Sequence, residues 1–323
     1  MSQKSFSAGV KNELAKKYAP DRKGLKAELC ALLNTGAKIE NSPWRIQFQT
    51  EQQSIIKKVF TLVEKLYKIK MTVSVRTGWQ HKWVQYIAVL SEPSAVHHIL
   101  TELGLVSGSD YVRRIPAEWA GGSGAQAYIR GAFLGSGSLT NPQKNYHAEL
   151  INVSRDHQEA LQELMGYYGL EMHMIARKRQ HQSVYVLYLK EGEQIVDLLN
   201  VMQAYTALMD LENIRIEKEM RNQINRSVNC EAANLQKVVQ AAYKQVRDIE
   251  YLISQVGWEG LPASLSQMAR VRLEHQDESL QELGRLLDPP VGRSGVNHRL
   301  RKLSVQHLCR LLYIGCGGRH GSC

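Results

Sequence analysis

Two stretches of this chain, residues 20–115 and 126–210, carry the same succession of elements, and a duplicated α/β unit stabilises itself most readily by burying one copy against the other. The first opens on a small-residue helix over 26–34 and a turn at Gly36. The strand 44–50 follows, with Trp44, Ile46 and Phe48 alternating onto one face. Ile55, Ile56, Val59, Leu62, Val63 and Leu66 then recur at helical spacing. Strands over 71–76 and 83–90 lead into a helix carrying Val96, Ile99, Leu100 and Leu103. The second copy repeats the order: a helix over 128–134 ending in Gly135-Ser136-Gly137, a strand over 147–153, a helix over 158–168, strands over 171–176 and 183–189, and a helix from 194 to about 205. Each copy gains a β-hairpin if the residues after its glycine turn pair up. The glycine-rich stretch 120–125 reads as the joint between copies.

Beyond Asp210 the strand signals stop. A polar, Asn-rich stretch over 212–234 precedes a long amphipathic helix marked by Leu235, Val238, Val239, Ala242, Val246, Ile249 and Leu252, ending near Gly257. Three shorter helices follow, with apolar stripes Leu265/Met268/Ala269/Leu273, Leu280/Leu283/Leu287 and Val296/Leu300/Leu303. On the third, counting Val296 as 0° at 100° per residue, Asn297 lies at about 100°, Arg301 at about 140°, Ser294 at about 160°, His298 at about 200° and Lys302 at about 240°. All five point away from the stripe, and Arg299 flanks it at about 300°. Between Val291 and Lys302 there are three Arg, a Lys and a His but no acid. A solvated basic face is the bland reading of such a run. A helix N-terminus that presents Ser, Asn, His and Arg also holds the donors and acceptors that read base edges, with Arg293, Arg299 and Lys302 available for phosphates. With Gly292 as N-cap, Val291 and Val296 form a hydrophobic staple that sets the approach of this helix across the one before it.

The whole chain carries +10 at neutral pH, with 41 Lys and Arg against 31 Asp and Glu, which makes nucleic acid the first partner to consider. Five cysteines without a CxxC pair fit a reduced compartment rather than a disulfide frame. No stretch approaches a membrane span, so a cytoplasmic, nucleoid-associated location is expected. His307, Cys309, Cys316, His320 and Cys323 crowd the C-terminus at spacings unlike a zinc site, and no metal or other cofactor is expected.

Two resemblances bear on these readings. Residues 27–33 and 128–138 look like degenerate copies of the LAGLIDADG helix of homing endonucleases, in which an acid just before the closing glycine holds divalent metal. Aligned on Gly131, the acid positions hold Ser136 and, in the first copy, Gly36, neither of which ligates a cation. Residues 261–275, 279–284, 290–303 and 220–234 closely resemble the WhiA family of bacterial regulators. That resemblance implies α+β architecture: a pseudo-two-fold duplicated LAGLIDADG-like α/β domain (1–212), a helical linker (213–257), an all-α helix-turn-helix domain (258–312) and a flexible tail (313–323). It also implies a non-catalytic, sequence-specific DNA-binding protein that controls transcription in sporulation, or in cell division and chromosome segregation. Double-stranded DNA is its partner, together with RNA polymerase or a second regulator, and no membrane is involved. A metal-dependent endonuclease and a scaffold that recruits division proteins without DNA are the alternatives. Gly292 stands where a Ser N-cap is expected in the family, and Gly36-Ala37 replaces a polar-Gly turn. The cluster Arg221/Asn222/Asn225/Arg226/Asn229 fits either DNA contact or capping of backbone groups at a joint, and we read it as the latter.

Overall fold

The structure, a computed structural model, describes residues 5–78, 83–179 and 182–316; the side chains of 179 and 306–316 lie outside the description. The chain separates into two compact units, Met1–Glu219 and Met220–Cys323.

In the first unit the duplication is explicit. Helix α2 (Arg22–Gly36) leads into the strands β1 (Ala37–Asn41) and β2 (Trp44–Thr50), then α3 (Gln53–Tyr67), β3 (Thr72–Thr77), β4 (Val84–Leu90) and α4 (Pro93–Glu102). A two-stranded ribbon, β5 (Val106–Ser107) with β6 (Asp110–Tyr111), joins this copy to the next. There α5 (Gly122–Ser136) is followed by β7 (Gly137–Leu139), β8 (Ala148–Asn152), α6 (Arg155–Gly166), β9 (His173–Arg179), β10 (Gln182–Leu189) and α7 (Gly192–Val201). The two antiparallel sheets have the same order, β1-β2-β4-β3 and β7-β8-β10-β9. The extra hairpin is therefore present in each copy, with Ala37 opposite Phe48 in the first and Gly137 opposite Leu150 in the second.

Helices α2 and α5 are both 15 residues long and pack against each other at the centre of a core that both copies share. Their close approach depends on missing side-chain atoms. A Cβ on Gly131 would come within 2.5 Å of the Glu28 carbonyl oxygen and 2.9 Å of Ala31 Cβ. Three charged residues are buried beside this seam. The Glu28 carboxylate lies 2.7 Å from both Lys58 Nζ and Arg130 Nε, and Lys58 also donates to the Leu14 carbonyl at 3.1 Å and to that of Lys17. Burial pulls the Lys58 ammonium down to about 8, against the raising influence of Glu28. Near the end of α2 a second polar network crosses between copies. Asn34 Nδ2 donates to the Tyr128 hydroxyl at 2.8 Å, that hydroxyl lies 2.8 Å from His157 Nε2, and Asn152 Nδ2 donates to the Asn34 carbonyl at 3.2 Å. Burial holds the His157 imidazole down at about 4, with Arg113 adding to the effect.

Three features differ from the sequence expectations. The glycine-rich stretch is no loose joint: Gly122 takes φ +59° and α5 starts there, with Gly124 and Ala125 already buried. Helix α7 stops at Val201, because Gln203 adopts φ +66°, and Tyr205 instead opens the 52-residue helix α8 (Tyr205–Val256). The Asn-rich stretch is therefore helical throughout. An N-terminal helix α1 (Phe6–Ala15), capped by the Ser5 side chain and burying Val10 and Leu14, adds to the first core.

In the second unit the C-terminal turns of α8 pack on α9 (Ala263–Glu274), α10 (Leu280–Arg285) and α11 (Arg293–Cys316) around Ile249, Leu252, Leu265, Met268, Leu283, Val296 and Leu300. Because α11 is helical to Cys316, residues 313–316 of the expected tail belong to a helix; 317–323 lie outside the described residues.

Candidate DNA-binding site

The site is built from α10, the seven-residue turn after it, and the first three turns of α11. Ser279 starts α10 with a reciprocal capping box: its Oγ accepts the Glu282 amide at 3.3 Å, and the Glu282 carboxylate accepts the Ser279 amide at 3.2 Å. The Ser279 side chain and amide hold the Glu282 carboxyl below the usual range, while contact with Glu282 pushes Glu278 up. Arg272 of α9 is buried and donates through Nη1 to the Glu278 carbonyl at 2.8 Å, which fixes the α9–α10 turn. Burial lowers its guanidinium, and Asp277 opposes that shift.

Gly284 sets how closely the turn and α11 approach α10. The Val291 amide donates to the Gly284 carbonyl at 2.9 Å. A Cβ on Gly284 would overlap the Val291 carbonyl oxygen and meet Val296 Cγ2 at 3.2 Å. Gly295 lies directly beneath the Val291 side chain in the same way. The Val296 amide closes the first turn onto the Gly292 carbonyl at 3.1 Å, so Gly292 stands at the N-cap. Nothing lies within 4 Å of a Cβ built there.

Of the core residues expected from sequence, Leu283, Leu287, Val296, Leu300 and Leu303 are buried, and Leu280 and Val291 pack half-buried against them. The opposite side of α11 presents Arg293, Ser294, Asn297, His298, Arg301 and Lys302 to solvent, with Arg299 half-buried on the flank. One short segment thus brings together four cations, an imidazole, an amide and a hydroxyl on a face free of carboxylates. The sequence reading missed Gly284 and Arg272. A lone glycine in a short helix and an arginine in a mixed-charge run give no signal until the neighbouring chain segments are placed.

Gly36 and Ser136, to which the sequence alignment assigns the acid positions, are the last residues of α2 and α5. The Phe48 ring fills the space beside Gly36, its Cε2 2.5 Å from where a Cβ would stand. Ser136 Oγ donates back to the Ala132 carbonyl at 3.4 Å. Among the described residues no group of three His, Cys, Asp or Glu side chains is placed to hold a metal ion. The C-terminal residues His307, Cys309, Cys316, His320 and Cys323 fall outside the described side chains.

A duplicated α/β first half and a helix-turn-helix with a carboxylate-free polar face define a DNA-binding regulator. Family models agree along the chain: the WhiA N-terminal LAGLIDADG-like domain matches residues 22–106, the WhiA LAGLIDADG-like domain 125–221, and the WhiA C-terminal HTH domain 224–306. The chain belongs to the WhiA family. A probable cell division protein WhiA from Alkaliphilus metalliredigens is 40% identical over 308 residues, covering 93% of this chain and 96% of that one. Its counterpart from Thermoanaerobacter pseudethanolicus is 42% identical over the same shares. The full-length crystal structure of DUF199/WhiA from Thermatoga maritima superposes with a TM-score of 0.57 at 21% identity, covering 94% of this chain and 98% of that one.

Proposed function

We propose that this protein recognises a specific duplex DNA sequence through α11 and regulates transcription without catalysing a reaction. Ser294, Asn297, His298 and Arg301 contact base edges in the major groove, and Arg293, Arg299 and Lys302 hold phosphates. The observation that carries this reading is the sidedness of α11, whose apolar stripe is buried while its polar face is open and acid-free. The names of the relatives favour genes of cell division as targets, and the family resemblance adds sporulation and chromosome segregation. The first unit serves as a binding platform, with RNA polymerase or a second regulator as its protein partner, and the protein sits with the nucleoid.

Phe48 beside Gly36 supports the non-catalytic reading, since it stands where an acid side chain would extend. Genome-wide mapping of binding sites would supply the target. On that target, Arg301→Ala should weaken binding by about 1 to 3 kcal/mol with the fold intact, and unchanged affinity would remove the recognition-helix assignment. Supercoiled plasmid should stay uncut with Mg²⁺ or Mn²⁺; double-strand breaks would restore the endonuclease alternative.

A further inference from the structure

Within the second unit, residues 220–241 of α8 are exposed, and their cations and most of their Asn side chains gather on one side of the helix. Counting Arg221 as 0° at 100° per residue, Asn225 falls at about 40°, Gln236 at about 60°, Asn229 at about 80°, Asn222 at about 100°, Arg226 and Lys244 at about 140°, and Lys237 at about 160°. Between 220 and 247 the one acid, Glu231, lies across the helix at about 280°, among Met220, Ile224, Leu235 and Val238 at about 260° to 320°; Glu219 and Asp248, at about 160° and 180°, bound the basic face at its two ends, and the exposed Val239 and Tyr243 interrupt it at about 0° and 40°.

A solvated helix gains from mixing signs at three- and four-residue spacing. Here Arg226 and Lys237 have no acid three or four residues away in either direction. Among the described residues neither makes an ion pair, and Arg221, Asn222, Asn225, Arg226 and Asn229 make no hydrogen bond to backbone outside the helix ladder. The helix is unbroken through them, so the capping role expected from sequence is not what these side chains perform.

We infer that this face of α8 is a second DNA-contacting surface, on which the cations neutralise phosphates and the Asn and Gln amides bond to phosphate and sugar oxygens. From Arg221 to Lys244 it runs about 35 Å at 1.5 Å per residue, about the length of one duplex turn. Between Glu219 and Asp248 this face carries cations and amides and no acid, which is complementary in charge and hydrogen bonding to a polyanion. The inference rests on the DNA-binding reading of the protein and extends it from α11 to the preceding helix.

The test uses the full chain and a random-sequence duplex, with affinity measured by fluorescence anisotropy across a KCl series. Each phosphate left without its cation reduces the slope of log K against log salt by about 0.9, so Arg226→Ala/Lys237→Ala/Lys244→Ala should flatten it by about 2 to 3 with unchanged helical circular dichroism. Arg301→Ala/Lys302→Ala, measured in parallel, reports on α11. In addition, p-benzoylphenylalanine in place of Asn229 should crosslink to the duplex, and in place of Glu231 it should not. A wild-type slope for the α8 triple variant while the α11 variant responds, or equal crosslinking from both positions, overturns the inference alone. A wild-type protein with no salt-sensitive binding would overturn both it and the DNA-binding reading.

Discussion

Replacing Gly284 by alanine tests whether the geometry of the turn positions α11. In an isolated helix the change would help, since alanine is favoured over glycine by about 1 kcal/mol. Here the new methyl would overlap the Val291 carbonyl oxygen, a backbone atom that cannot rotate away, and would crowd Val296 Cγ2 at 3.2 Å. Relief requires the 286–292 turn to recede by roughly 1 Å, typical of an overpacked site that costs about 1 to 3 kcal/mol. The Val291 amide, 2.9 Å from the Gly284 carbonyl, would lose a bond worth about 1 kcal/mol. Against the propensity gain, the net is a loss of about 2 kcal/mol. Hydrogen exchange of residues 258–303 in the full chain, read by mass spectrometry, should then be roughly 30-fold faster than in the wild type. Target-DNA affinity should fall as well, because the polar face of α11 moves with Val291. A variant as stable as the wild type, with unchanged DNA affinity, would refute the claim that this contact sets the crossing of α10 and α11.

Gly292→Ser has open space at the N-cap and should raise the stability of the second unit by a few tenths of a kcal/mol, visible as slower exchange in the first turn of α11. Glu28→Gln leaves Lys58 and Arg130 buried without their carboxylate and should cost the first unit about 3 to 5 kcal/mol in urea unfolding; a loss under 1 kcal/mol would mean that the cluster is wetter than described. His157 is held down at about 4 when folded and titrates near 6.5 when unfolded, so the unfolded chain binds more protons between those values. Its stabilising contribution, complete above pH 6.5, should decline by about 3 kcal/mol as the pH falls to 4, and His157→Gln should flatten that part of the stability profile.

Much of the fold is legible where a residue pattern and its burial coincide. The alternation of Trp44, Ile46 and Phe48, the spacing along α3 and the small residues of α2 and α5 each follow from one face meeting one neighbour. On α11 the same logic separates Val296, Leu300 and Leu303 from the polar face. Other features have causes remote in sequence. Gly122 to Ala125 looks like a linker by propensity but opens α5, whose Ala125, Ala127 and Tyr128 are buried in the shared core. The Glu28, Lys58 and Arg130 cluster draws on three helices, and no local pattern announces it. The length of α8 escaped because its middle lacks a buried face, and periodic burial is the signal by which helices are recognised.

The ring of Phe48 against Gly36 has a consequence for reversibility. Glycine and aspartate codons can differ by a single base, yet the carboxylate of Gly36→Asp would arrive in space held by a buried aromatic ring that is also part of the first sheet's core. Introducing an acid alone would therefore weaken the fold before it offered a ligand, and removing the ring first would open a cavity costing about 3 to 5 kcal/mol. Either order passes through a less stable protein. The side chain that completes the core also makes an acid at this position hard to introduce by single steps.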